Sequence, residues 1–62
     1  MSEVNNAEKL RCVERELKMR RSVYPRWTAA GKMTAAQADH EIRVMSAIVD
    51  DYRAAAEKER LI

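Results

Sequence analysis

The sequence has 62 residues, with 12 Lys or Arg against 10 Asp or Glu and a formal net charge of +2. That length allows one domain with a marginal core, while a single cysteine (Cys12) and a single histidine (His40) exclude an internal disulfide and provide no zinc-ligand spacing. One glycine, one proline and 47% hydrophobic residues suit an all-α hairpin or coiled coil stabilised by self-association or by a partner.

The first helical pattern opens at Asn5, which with Glu8 three residues on predicts an N-cap and capping box; Asn6 is the competing cap and Met1 to Val4 are expected to fray. Leu10, Val13, Leu17, Tyr24 and Trp27 then follow a 3-4 spacing, the seam of a packed helix. Arg20 interrupts that seam, where it is expected to snorkel or to meet an acid from the facing helix. Cys12 and Met19, with Val23 nearby, form a thinner apolar stripe on another face, suited to a dimer or partner contact. Cys12 is expected to be a small packed residue rather than a reactive thiol.

Pro25 removes a helical hydrogen bond and crowds the preceding turn, at a cost of about 3 kcal/mol in a helix interior. Two readings remain: a kinked but nearly continuous helix, or a break near Tyr24 with Pro25 restarting a short turn. The kinked helix is preferred, because Trp27 keeps the seam's phase. Gly31 stands where a helix C′ residue is needed, since glycine adopts the left-handed conformation without steric cost. Thr34-Ala35-Ala36-Gln37 is a capping box, with Met33 and Ala38 placed as a hydrophobic staple.

The second helix carries Ala38, Ile42, Met45, Val49, Tyr52 and Ala56 on a 4-3 spacing, flanked by Val44, Ile48 and Ala55. This apolar face is wider than one partner helix requires. The expected fold is therefore all-α and a single domain over residues 1–62: an antiparallel hairpin with helices at about 5–30 and 35–60 and a turn at 31–34. Leu10, Val13, Leu17, Ile42, Met45, Ile48, Val49 and Tyr52 form its core and dimer contact, and two hairpins are expected to pair as a homodimeric four-helix bundle.

Charge is uneven along the chain. Residues 17–38 contain Lys18, Arg20, Arg21, Arg26 and Lys32 and no acid, while the flanking segments are net acidic. Tyr24, Arg26, Trp27 and Lys32, with Arg20 and Arg21 a turn earlier, are the one constellation that suggests binding. Aromatic rings beside guanidinium groups suit a protein hot spot and equally suit bases and phosphates; otherwise the aromatics cap the core and the cations are solvated. Asp39-His40-Glu41 is a solvated helix start, because consecutive helical residues diverge by about 100°. Asp50-Asp51 is likewise a solvated face. No catalytic triad, glycine-rich loop or metal motif is present, so neither an enzyme nor a cofactor is expected. With no apolar leader and no run of about 20 apolar residues, the expected location is the cytoplasm, without membrane contact.

The run from Leu10 to Trp27, followed by Gly31-Lys32-Met33-Thr34 and Ala38-Asp39-His40-Glu41-Ile42, resembles short helical proteins of temperate bacteriophages and prophages. The Val-Tyr-Pro-Arg-Trp segment and the Gly-Lys-Met turn are the most specific part of the resemblance, which covers about residues 7–53. It implies a host bacterial cytoplasm and an accessory protein that binds a host or phage protein, such as a regulator or defence component, and modulates it. The alternative is a phosphate-recognising module that binds nucleic acid or sequesters a nucleotide signal through the basic aromatic turn end.

Overall fold

The computed structural model describes residues 4–61, in which two helices, α1 (Asn6–Ala29) and α2 (Ala35–Arg60), fold back on each other as a hairpin. Among the described residues there is no strand. The expected fraying of the N-terminus falls, for Met1 to Glu3, outside them.

Local chemistry sets each helix end. The Asn5 side chain accepts the Glu8 N–H at 2.9 Å, which satisfies one of the amides that α1 leaves without a helical partner. Only this half of the anticipated capping box is present. At the other end Gly31 has φ +77°, and the Gly31 and Lys32 N–H groups bond back to the Thr28 and Trp27 carbonyls at 3.1 and 2.9 Å. These two bonds define a Schellman motif and satisfy the last carbonyls of α1. α2 then begins with a complete capping box: the Thr34 hydroxyl accepts the Gln37 N–H at 3.0 Å, and the Gln37 side chain accepts the Thr34 N–H at 3.0 Å. α1 is continuous through Pro25.

The core lies midway along a rod 47 Å long. Leu17, Met45 and Val49 are buried together, and Leu10, Val13, Ile42 and Ile48 pack against them half-buried. Tyr52 is half-buried farther toward the open end, with the Lys9 ammonium 5.7 Å from its ring centroid. Three polar contacts tie the helices together: Arg20–Glu41 at 3.4 Å, Arg53–Glu14 at 3.1 Å and Asn6–Glu59 at 2.8 Å. Among the described residues no side chain is fully buried, Val49 coming nearest at 3% exposed, so this hairpin has a thin core.

One expectation is overturned here. Cys12 is exposed, not packed. It lies five residues before Leu17, which turns it about 140° from the core direction.

Candidate protein-interaction site at the turn end

Tyr24 and Trp27 are three residues apart on α1, yet their surroundings differ. Tyr24 is seven residues from Leu17, about 20° off the core direction, and is buried. Trp27 is ten residues away, about 80° off, and remains 44% exposed. A 3-4 seam followed by an untwisted helix drifts in this way, so Trp27 does not sit at the core as its spacing suggests. The α2 residues nearest the turn, Ala35, Ala36 and Ala38, are also too small to cover an indole. The two rings lie 5.7 Å apart between centroids, tilted by 31°, within the range of favourable aromatic pairs. Tyr24 thus provides a fixed floor for a half-exposed indole.

Beside them a groove of about 170 Å³ is lined by Glu16, Met19, Arg20, Val23, Tyr24 and Trp27. Met19, 51% exposed, forms an apolar wall. Arg20 is held rather than free: its guanidinium donates to Glu16 at 3.2 Å on α1 and to Glu41 at 3.4 Å on α2, with its side chain 24% exposed. The interruption in the seam is thus an arginine half-buried between two acids, one of them across the hairpin.

The remaining cations are arranged differently. Arg21 lies on the opposite flank, lining a groove with Glu14, Lys18 and Arg53. Arg26 and Lys32 are exposed at the turn end, and among the described residues Arg21, Arg26 and Lys32 form no ion pair. The structure therefore gathers Tyr24, Trp27 and Arg20 at one groove, leaves Arg26 and Lys32 near the tip, and sets Arg21 apart. Met19 takes its place in the contact stripe expected with Cys12 and Val23, and Arg20 meets an acid of the facing helix as one of its two expected readings; that the acid is Glu41 was not foreseen. Only the register across the turn assigns that partner, and no local motif encodes it.

The other acidic and metal-like clusters disperse. Asp39 pairs with Arg43 at 2.6 Å, Glu41 with Arg20, and Asp50 with Arg53 at 3.3 Å, while His40 is exposed. Among the described residues, no three His, Cys, Asp or Glu side chains come together as metal ligands, and no helix is long and apolar enough to cross a membrane. No protein-family model, curated protein or solved structure matches the chain.

Proposed function

We propose that this chain is a non-enzymatic interaction protein that docks an acidic partner protein at its turn end. The reading rests on one observation: a tryptophan 44% exposed, its ring 5.7 Å from that of a buried tyrosine, at the same end of the hairpin as the exposed cations Arg26 and Lys32, which form no ion pair among the described residues. Exposed aromatic anchors of this kind dominate protein contacts. Burying the exposed part of an indole, on the order of 100 Å², contributes about 2.5 kcal/mol. Arg26, Lys32 and, more weakly, Arg21 steer the acidic surface toward it, while Arg20 is already paired with Glu16 and Glu41.

The same reading includes a bend at Pro25, where Arg21's carbonyl has no amide to accept, and pairing of two hairpins as a homodimer. The partner belongs to a bacterial cytoplasm, where the phage-type resemblance sets the protein as a modulator of host machinery. The test is capture from nuclease-treated bacterial lysate with tagged wild type and Trp27→Ala in parallel. One stoichiometric protein retained by the wild type and lost from a variant of unchanged helicity supports the proposal. If nothing is captured and the protein instead shifts DNA or RNA in a steeply salt-dependent way, the turn end binds phosphate and the proposal fails.

A further inference from the structure

The two apolar stripes outside the core turn toward the same flank of the hairpin, with Cys12 and Met19 at its outer edge, about 140° and 160° from the core direction of α1. On α1, Cys12, Met19, Val23 and Trp27 follow a helical stripe; on α2, Val44 lies one turn from Glu41 and Ile48. The Arg20–Glu41 ion pair bridges the helices on this flank, between the two stripes. Met19 is 51% exposed, Val44 is 44% exposed, and Cys12 is open to solvent. The charges between them are partly offset: Arg20 pairs with both Glu16 and Glu41, leaving one surplus acid. The opposite face is polar, with Lys18 and Arg21 beside the Glu14–Arg53 pair.

Resting on the dimeric reading above, we infer that a second copy of this chain covers the Met19–Val23–Val44 face, its turn end beside the first copy's open end. Area and charge both support this occupant. A rod of 47 by 22 Å presents a face on the order of 1,000 Å², enough for the roughly 800 Å² per partner that a stable interface buries. Over residues 17–47, six bases outnumber Asp39 and Glu41 by four, whereas residues 4–16 and 48–61 hold seven acids and six bases. Head-to-tail stacking sets each basic end against a mildly acidic one; stacking in the same direction would oppose two ends that each carry four surplus positive charges. The contact centres on Met19 and Ile48, leaving Trp27 at its rim and the two docking ends at opposite poles of the dimer.

The full chain should sediment at twice its 7.2 kDa. Val44→Glu, at an exposed site, should weaken association by roughly 100-fold or more, while Lys18→Glu on the polar face leaves the mass unchanged. Spin labels on Lys32→Cys in a Cys12→Ser background should lie about a rod length apart, near 47 Å, instead of within its 22 Å width. A monomeric wild type, a dimer indifferent to Val44→Glu, or labels within 22 Å would overturn the inference. A monomer that still captures its partner through Trp27 defeats this inference alone. A head-to-tail dimer that captures nothing defeats only the proposed function.

Discussion

The middle of the hairpin and its turn end are built from the same spacing of large apolar residues, but they end in opposite states. At the middle, Leu17 of α1 meets Met45 and Val49 of α2, each helix supplying large side chains at the contact, and all three are buried. At the turn end α1 supplies Tyr24 and Trp27 while α2 offers alanines, so the inner ring is covered and the outer one is not. A periodic pattern buries a residue only as far as the facing element has volume to cover it. Where that volume runs out, the same pattern leaves an aromatic residue available for a contact.

The sharpest way to break this comparison is to remove volume from the middle. Leu17→Ala should cost about 3 kcal/mol, a large part of the roughly 3–9 kcal/mol expected for a chain of this length. Helical circular dichroism at room temperature should fall substantially; a melt close to wild type would show that the core is not where stability resides. Next comes the cap that aims α2. Thr34→Ala removes the hydroxyl that accepts the Gln37 N–H and should cost about 1 kcal/mol, read as a melting shift of about 4–8 °C. Gly31→Ala should cost a similar amount, about 1 kcal/mol, through backbone strain alone, because an added Cβ meets no atom within 4 Å while φ remains +77°. Arg20→Ala is expected to have the smallest effect, about 0.5–1 kcal/mol at low salt and less at high salt, since Glu41 is half exposed. A salt-independent loss would mean that the arginine stem contributes by packing.

The sequence disclosed the caps because they are local: Asn5, Gly31, Thr34 and Gln37 act on backbone groups within three residues. The two-helix architecture was legible for the related reason that a helix stop and start stand only a few residues apart. The exposure of Cys12 and Trp27 was not legible. Both follow from accumulated helical phase and from the size of residues across the turn, which a 3-4 count ignores. That Arg20 meets an acid of the facing helix was one of its two expected readings; that the acid is Glu41 depends on the hairpin's register, a property that no single stretch of residues carries.

Trp27 is the chain's single tryptophan, so intrinsic fluorescence reports its surroundings directly. The most direct measurement is its emission and quencher accessibility before and after addition of the protein captured from lysate. An exposed docking anchor predicts red-shifted, readily quenched emission in the free protein, followed by a blue shift and protection on binding. Blue-shifted, protected emission in the free protein, or no change when the partner binds, would contradict the account.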